Sequence, residues 1–342
     1  IRSCCQTLIR ENKGPIAIVT LSSSMPDELR KKLKQQGYHL LGQRGAYKAC
    51  QWQKKSLLHG NSCYKERFYG IESHRCLQMT PVVDKCTQNC EFCWRVTPFD
   101  LGIGWDQVHV SKEDVMRPDE LLDATIMANL RSLGGFNPEA GASVSKEKYL
   151  EARNPKHIAI SLAGEPTLYP FLSELVDEAS LRGMTSFIVT NGTRPDVLAD
   201  MSLPTQLYVT IAAPDENTHA MLCRPSIKGA WERLIESQEL LQSLSCRSVN
   251  RLTMVSGRNM HDARSYSALI LKGEPDFVEV KAYMYLGSSR GRLDKQNSPS
   301  HREIRAFSQK LVSLTGYYLV DEQNESRVVL LSRSKQVKKI QL

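Results

Sequence analysis

Three cysteines stand close together in the first third of the chain. Cys86, Cys90 and Cys93 form a C-x3-C-x2-C set, and Phe92 lies directly before the last of them. Three thiolates on one loop can each bind a different iron of a [4Fe–4S] cluster, which leaves the fourth iron without a protein ligand. Zinc is the alternative, although it takes a fourth ligand and usually two C-x2-C pairs. The spacing therefore favours an iron–sulfur cluster with one open iron.

A second cysteine set precedes the first in a basic stretch. Cys50, Cys63 and Cys76 are separated by twelve residues each time, a C-x12-C-x12-C array. Chance spacing of core cysteines is the alternative, but the weakly periodic surroundings offer little core in which to bury three free thiols. A second [4Fe–4S] cluster on this set would again have an open iron, which can bind a substrate as a Lewis acid. The other cysteines are scattered and carry no predicted role: Cys4, Cys5, Cys223 and Cys246.

The composition predicts a large folded protein without membrane segments. Its 342 residues are 41% hydrophobic, which is enough for one large core and an appendage. No apolar run approaches the ~18 residues that a membrane span needs. Ten cysteines in a chain of this length are typical of metal sites in a reducing compartment rather than of disulfides. We expect a cytoplasmic protein.

The positive charge is concentrated rather than spread. The chain carries a net charge of +8, yet between Arg30 and Arg75 eleven Lys or Arg residues are balanced only by Glu66 and Glu72. A second excess follows Ser326, with five basic residues and no acidic one. Solvated surface is the alternative explanation for any single residue. Two concentrated patches favour a polyanionic partner such as RNA.

From residue 77 onward the pattern becomes regular. Short apolar runs end in polar or glycine-containing turns and alternate with amphipathic stretches, which predicts six β–α units in succession. Such a series forms a parallel sheet with helices outside, in an open or partial (β/α)6 barrel that resembles a TIM barrel. The predicted strands are 77–83, 157–162, 186–190, 206–212, 248–254 and 277–282, and the predicted helices are 118–132, 170–182, 195–200, 227–244, 262–272 and 300–313.

The segments around this core predict a division of the chain into three parts. Residues 1–76 form a cysteine-rich extension, in which the basic stretch over 44–75 is irregular and needs a metal to organise it. Residues 77–285 form the barrel. Residues 286–342 contain a helix, a terminal hairpin and a basic tail.

Two short motifs follow the second and third predicted strands. These are Gly164-Glu165-Pro166 and Thr190-Asn191-Gly192. Each alone is an ordinary turn sequence, but in this order behind the first cysteine set they resemble the radical S-adenosylmethionine superfamily. The resemblance implies that the cluster cleaves S-adenosylmethionine to a 5′-deoxyadenosyl radical and that Glu165 receives the methionine amino group. The cofactor contacts that it implies are Phe92, Gly164, Glu165, Thr190 and Asn191.

A closer resemblance covers most of the chain. The second cysteine array, the run His74-Arg75-Cys76-Leu77-Gln78-Met79-Thr80-Pro81 and the run Cys90-Glu91-Phe92-Cys93-Trp94-Arg95 resemble the 4-demethylwyosine synthases, in their shorter archaeal form. The resemblance implies a radical carbon–carbon lyase that condenses N1-methylguanosine, beside the anticodon of phenylalanine tRNA, with pyruvate. It also implies the second cluster. Lys65 matches the lysine that is a Schiff-base or charge-binding partner of pyruvate, although a lysine in a basic stretch is usually surface charge.

The resemblance implies the partners as well. These are the anticodon stem-loop of phenylalanine tRNA, pyruvate and an external electron donor, and the protein itself is expected to be a monomer. The target base must leave its stack to reach the mouth of a barrel. Trp94, directly after the cluster loop, is the predicted stacking residue, with a core role as the alternative. Arg290 and Arg292, after the last barrel strand, are predicted phosphate contacts.

Two other classes of protein fit parts of the pattern. A different radical enzyme, such as a glycyl-radical activase or a peptide modifier, can carry an auxiliary cluster. Such clusters usually follow the barrel, however, whereas this array precedes it. A non-enzymatic iron–sulfur RNA-binding protein would leave the open iron and the Gly164-Glu165-Pro166 turn without a purpose. At the level of the sequence both remain alternatives.

Overall fold

Ten β-strands form a single sheet in the part of the chain that the structure describes. The computed structural model describes residues 25–102 and 109–341, so Cys4, Cys5 and the start of the predicted extension lie outside it. Six central strands are parallel, and an antiparallel pair extends each edge. In spatial order the strands are β1 (His39–Leu41), β2 (Gly45–Tyr47), β3 (Cys76–Thr80), β4 (His157–Ile160), β5 (Thr185–Thr190), β6 (Gln206–Thr210), β7 (Arg247–Met254), β8 (Phe277–Ala282), β10 (Val328–Ser332) and β9 (Tyr318–Gln323).

Eleven α-helices accompany these strands in the described residues. They are α1 (Asp27–Gln35), α2 (Gln51–His59), α3 (Tyr64–Tyr69), α4 (Pro118–Leu133), α5 (Lys146–Arg153), α6 (Leu172–Leu181), α7 (Pro195–Asp200), α8 (Glu216–Cys223), α9 (Ala230–Leu240), α10 (Ala263–Gly273) and α11 (His301–Thr315). The helices α4 and α7 begin at a proline, whose missing N–H has no partner in the first turn anyway. Across the described ranges, no helix has the length and apolar character to span a membrane.

The predicted partial barrel is confirmed. The six predicted core strands correspond to β3 through β8, with ends that differ by at most three residues. The sheet is open, because β1 and β9 are its two free edges. The terminal hairpin is also present as β9 and β10. Its second strand pairs directly with β8, where Val328 lies opposite Lys281.

The basic stretch over 44–75 is not irregular, contrary to the prediction. It contains β2, α2 and α3, and each of the two helices ends at a glycine in the left-handed conformation, Gly60 and Gly70. Hydrophobic periodicity does not reveal α2, because two of its buried residues are the polar Gln53 and Ser56. The sequence pattern also omits α5 and α8, which are helices of only eight residues each.

Aromatic residues of α3 fill the interior of the barrel. Phe68 and Tyr69 pack in one buried cluster with inward-facing strand residues such as Tyr208 and Phe277. On its other side α3 contacts the C-terminal tail, whose Ile340 N–H donates to the carbonyl of Tyr69 at 2.8 Å. The helix that carries Lys65 is therefore fixed between the barrel strands and the tail.

Candidate active site

One cavity of about 480 Å³ contains both cysteine sets. Its walls come from β3, from the middle and carboxyl-terminal residues of the other parallel strands, from α3 and from the loop after β3. Ligands of open parallel sheets bind at this end of the strands, where the loops converge. The predicted site residues that line the cavity are Cys50, Cys63, Lys65, Cys76, Cys86, Cys90, Phe92, Cys93, Trp94, Gly164, Glu165, Thr190 and Asn191.

The first cysteine loop is anchored by the end of α8. The backbone N–H of Asn89 donates to the carbonyl of Cys223 at 3.0 Å, and that of Glu91 donates to the carbonyl of Leu222 at 2.9 Å. The carboxylate of Glu91 also forms an ion pair with Arg224, directly after α8. These contacts fix the path of the loop between Cys86 and Cys93.

The Gly164-Glu165 turn lies against the beginning of the same loop, and its glutamate is buried. Oε1 of Glu165 accepts from the Thr190 hydroxyl at 2.6 Å and from the Thr167 hydroxyl at 2.8 Å. Oε2 accepts from the backbone N–H of Asn191 at 2.9 Å. Burial raises the pKa of Glu165, against the effect of these hydrogen bonds. A cationic amino group from the cavity would offset that burial, because opposite charge favours the ionised carboxylate.

Asn191, in the motif at the end of β5, connects that motif to the first cysteine loop. Its Nδ2 donates to the Thr87 hydroxyl at 2.8 Å and lies 3.7 Å from Sγ of Cys86. Its Oδ1 accepts from the Thr193 hydroxyl at 2.7 Å. The side chain of Asn191 therefore positions the loop around Cys86, in addition to lining the cavity.

The donor chemistry of each cysteine set suits an iron–sulfur cluster. All six thiols are free, and three thiolates can each bind a different iron of a [4Fe–4S] cluster. Burial raises the pKa of Cys63 and of Cys76 to about 12. Metal binding to these cysteines would require their deprotonation, because the thiolate is the ligand.

Lys65 projects from α3 into the cavity. Its Nζ lies 4.5 Å from the ring centroid of Tyr208 and 5.9 Å from that of Phe187. Burial lowers the pKa of Lys65, and the positive charge of Arg251 lowers it further. An amine with a lowered pKa is more often unprotonated and so more nucleophilic. The structure brings Lys65 together with Cys63 and Cys76, while its role stays a prediction.

A buried carboxylate network lies behind Lys65. Glu279 on β8 accepts from Arg251 on β7 at 2.8 Å, from the Tyr69 hydroxyl at 2.9 Å and from the Tyr64 hydroxyl at 3.2 Å. These bonds tie both ends of α3 to two strands. The network thus sets where the short helix, and with it the amine of Lys65, lies in the cavity.

Comparison with known proteins identifies the family. Residues 142–269 match the family model of the radical SAM superfamily, and residues 272–333 match that of wyosine base formation. The S-adenosyl-L-methionine-dependent tRNA 4-demethylwyosine synthase of Pyrococcus abyssi is 47% identical over 324 residues, which cover 92% of this chain and 91% of that protein. The chain belongs to the tRNA 4-demethylwyosine synthase family. As a radical SAM protein it uses S-adenosylmethionine and a [4Fe–4S] cluster.

Further members of this family show the same match. The Methanocaldococcus jannaschii 4-demethylwyosine synthase is 38% identical, over 90% of this chain and 96% of that protein. Two solved structures cover 92% of this chain and 98% of theirs: "Structure of TYW1 with a lysine-pyruvate adduct bound", with a TM-score of 0.81 at 35% identity, and "Crystal structure of archaeal TYW1", with a TM-score of 0.75 at 32% identity. The fold therefore agrees with that of known 4-demethylwyosine synthases.

The predicted RNA contacts of this 4-demethylwyosine synthase family member differ in their surroundings. Trp94 is 36% exposed at the cavity, between Lys48 Nζ at 5.7 Å and the Arg95 guanidinium at 5.0 Å from its ring centroid. Arg290 is exposed and packs on Tyr285. The side chain of Arg292 is only 11% exposed. The first two are open to a large ligand, whereas Arg292 is largely enclosed.

Arg292 instead contacts the first cysteine loop. Its guanidinium donates to the carbonyls of Glu91 and Cys93 and forms an ion pair with Asp100. The neighbouring Ser288 N–H donates to the carbonyl of Trp94 at 2.9 Å. The loop after β8 therefore supports the first cysteine loop from outside, a contact that the sequence motifs do not predict.

Two further functional candidates are absent from the predicted set. Arg251 and Lys281 line the cavity from β7 and β8. The available signal is a charged residue within a predicted strand, since charged side chains are rarely buried without a partner. That signal is weak here, because both strands carry other polar or charged residues and the sequence does not indicate which face is inside the barrel.

Proposed function

We propose that this chain is a tRNA 4-demethylwyosine synthase of wybutosine biosynthesis. In this proposal it condenses N1-methylguanosine, beside the anticodon of phenylalanine tRNA, with pyruvate, and it does so as a carbon–carbon lyase that loses the pyruvate carboxyl carbon. The observation that carries the proposal is one cavity that contains two cysteine triplets and a half-buried lysine. Radical formation and pyruvate binding then take place in the same cavity. The relatives named for this reaction support the assignment.

The first triplet and the strand-end motifs bind the cofactor. Cys86, Cys90 and Cys93 hold one [4Fe–4S] cluster. Glu165 receives the amino group of S-adenosylmethionine through Oε2, which accepts one hydrogen bond among the described residues. A cluster and S-adenosylmethionine bound there would supply the radical chemistry that removes a hydrogen atom from the N1-methyl group. Phe92, packed beside Tyr283 and Leu222, forms the apolar wall at the adenine, and the remaining contacts come from Gly164, Thr190 and Asn191.

The second triplet and Lys65 bind pyruvate. Cys50, Cys63 and Cys76 hold a second [4Fe–4S] cluster, whose open iron supplies a Lewis acid when it is bound. The amine of Lys65 adds to the keto carbon of pyruvate, and loss of water leaves an imine. The structural relative described with a lysine–pyruvate adduct supports this role. The aromatic rings of Tyr208 and Phe187 hold the amine in place.

The tRNA approaches the mouth of the cavity. N1-methylguanosine leaves its stack and packs on Trp94, while Lys48 and Arg95 beside the indole attract the phosphate backbone. Arg290 is a further phosphate contact in this proposal, whereas Arg292 supports the first cysteine loop. An external protein supplies the electron, and the enzyme acts in the cytoplasm as a monomer.

The test is product formation. Anaerobically reconstituted and reduced protein is incubated with S-adenosylmethionine, pyruvate and phenylalanine tRNA that carries N1-methylguanosine, and the digested tRNA is analysed by mass spectrometry. We expect a tricyclic base together with 5′-deoxyadenosine. If 5′-deoxyadenosine forms and no tricyclic base appears, the proposed reaction is wrong, although the chain remains a radical S-adenosylmethionine enzyme.

A further inference from the structure

A second amine enters the cavity beside Lys65. Lys281 is the fifth residue of β8, and it follows Phe277 and Glu279 on the same inward face of that strand. It lies opposite Thr253 of β7 and opposite Val328 of β10. Both Lys281 and Lys65 line the cavity with Cys63. Both amines act through their charge on the Cys63 thiol. The part of the cavity at Cys63, here called the inner end, therefore carries two ammonium-forming groups.

Lys281 has a fixed position, but its ammonium group has unused hydrogen-bond donors. Its Nζ donates to the carbonyl of Ser326 at 2.9 Å and lies 4.9 Å from the ring centroid of Tyr64. An ammonium group has three donors, and within the described ranges Ser326 provides the one acceptor. The remaining donors are free for a ligand in the cavity.

The inner end of the cavity has an excess of positive charge. Glu165 is the one carboxylate among the described residues that line the cavity, and it is engaged by Thr167, Thr190 and Asn191. Glu279 lies behind the wall and accepts two hydrogen bonds from Arg251, at 2.8 and 3.0 Å. No carboxylate among the described residues forms an ion pair with Lys65 or Lys281, and Glu279 acts on both only through its charge. Two partly buried amines that share one carboxylate with Arg251 require a further anion, so an anionic ligand is expected there.

Arg251 is a poorer anchor for that ligand. Besides the two bonds to Glu279, its guanidinium donates to the Tyr64 hydroxyl at 3.0 Å and stacks at 4.6 Å on the ring of Tyr208. The charge of Arg251 is thus already paired with Glu279, whereas Lys281 makes one hydrogen bond among the described residues, to the carbonyl of Ser326. Burial lowers the pKa of Lys281 to about 8, which leaves most of the amine protonated at neutral pH.

We propose that Lys281 binds the carboxylate of the small α-keto acid whose keto carbon faces Lys65. This inference rests on the proposed function and adds a residue that selects the co-substrate. One amine attacks the carbonyl carbon, and the other forms a charge-assisted hydrogen bond with the carboxylate. The site then prefers α-keto acids to neutral ketones and esters of the same size.

The experiment is a calorimetric titration of cluster-loaded protein with pyruvate and with methyl pyruvate, whose ester lacks the negative charge. The variants are Lys281→Met and Lys281→Arg, and the control is Lys310→Met, at an exposed position of α11. We expect Lys281→Met to bind pyruvate roughly tenfold to a hundredfold more weakly, as for the loss of a charged hydrogen bond. Methyl pyruvate binding should be the same in all four proteins, and Lys281→Arg should bind pyruvate more tightly than Lys281→Met.

Unchanged pyruvate binding by Lys281→Met, with its iron content at the wild-type level, would overturn this inference alone. Loss of iron from both Lys281→Met and the milder Lys281→Gln would also overturn it, because Lys281 would then serve the cluster. A weaker affinity for tRNA with unchanged pyruvate binding would assign Lys281 to phosphate instead. Wild-type protein that makes 5′-deoxyadenosine but does not bind pyruvate would overturn the proposed function itself.

Discussion

The backbone of Gly164 lies directly against the carbonyl of Val82. A Cβ at Gly164 would lie 1.8 Å from that oxygen and 2.6 Å from the carbonyl oxygen of Lys85. The next residue, Glu165, donates its backbone N–H to the same Lys85 carbonyl at 2.8 Å. The turn that carries Glu165 and the start of the first cysteine loop therefore form one unit.

We predict that Gly164→Ala destabilises this unit and weakens cofactor binding. Gly164 has a φ of +70°, which costs an alanine about 1–2 kcal/mol, and the clash with Val82 adds to this cost. Gly183→Ala is the matched control, because Gly183 has a φ of +65° with nothing within 4 Å of its Cβ position. Denaturant unfolding and S-adenosylmethionine titration measure the two effects. Equal behaviour of the two variants would contradict the close approach.

The sequence predicts the barrel well because each of its core strands is a short apolar run that ends in a turn. It predicts the first cysteine loop and the Gly164-Glu165 turn for a related reason, since all their residues are local in the chain. It fails for residues 44–75. There α2 buries polar side chains, and the fold of α3 depends on Glu279, more than two hundred residues away.

Distant contacts also explain what the motifs leave out. Lys281 lies between strands that are distant in the chain, opposite Thr253 of β7 and Val328 of β10. Arg292 supports the loop of Cys93 across a separation of 199 residues. No local pattern encodes such approaches, and no spacing rule distinguishes an arginine that contacts RNA from one that holds a loop.

Replacing Arg292 by methionine is expected to affect the first cluster, whereas replacing Arg290 is expected to affect tRNA binding. Arg292→Met removes the donors to the carbonyls of Glu91 and Cys93, so the first cluster should be lost more readily or show an altered electron paramagnetic resonance spectrum. Arg290→Met should leave that spectrum unchanged and weaken tRNA binding, with the salt slope reduced by about 1. A wild-type spectrum in Arg292→Met would contradict the loop-supporting role.

His157 predicts a dependence of stability on acid pH. The ring is buried, accepts from the Glu72 N–H at 3.1 Å and bonds the Thr185 hydroxyl at 2.6 Å. Burial, together with the smaller effects of the charges of Arg75 and His74, lowers the pKa of His157 to about 4, from an ordinary value of 6.5. The neutral ring therefore stabilises the fold above pH 6.5, by about 3 kcal/mol. That stabilisation is lost as the pH falls from 6.5 to 4.

Unfolding of the metal-free protein across this pH range measures the effect. His157→Gln should show a shallower loss of unfolding free energy between pH 6.5 and 4 than the wild type does. The exposed His59 of α2 provides the control, and His59→Gln should follow the wild-type curve. Parallel curves for wild type and His157→Gln would show that the ring is not held neutral.

Trp94 is predicted to contribute to tRNA binding by stacking. Trp94→Ala should weaken binding of the anticodon stem-loop by about 1–3 kcal/mol, which is typical of one base on an aromatic ring. Trp94→Phe should retain most of the affinity. Cleavage of S-adenosylmethionine without tRNA should continue in both variants. Equal RNA affinity of Trp94→Ala and wild type would favour a core role for the indole.

In the proposed enzyme two clusters share one cavity, each on its own cysteine triplet. Iron and sulfide counting on anaerobically reconstituted protein measures the number of clusters. We expect about eight irons in the wild type and about four in the variant Cys50→Ala/Cys63→Ala/Cys76→Ala. The variant Cys86→Ala/Cys90→Ala/Cys93→Ala should also retain about four. Wild-type iron content after loss of Cys50, Cys63 and Cys76 would contradict the account.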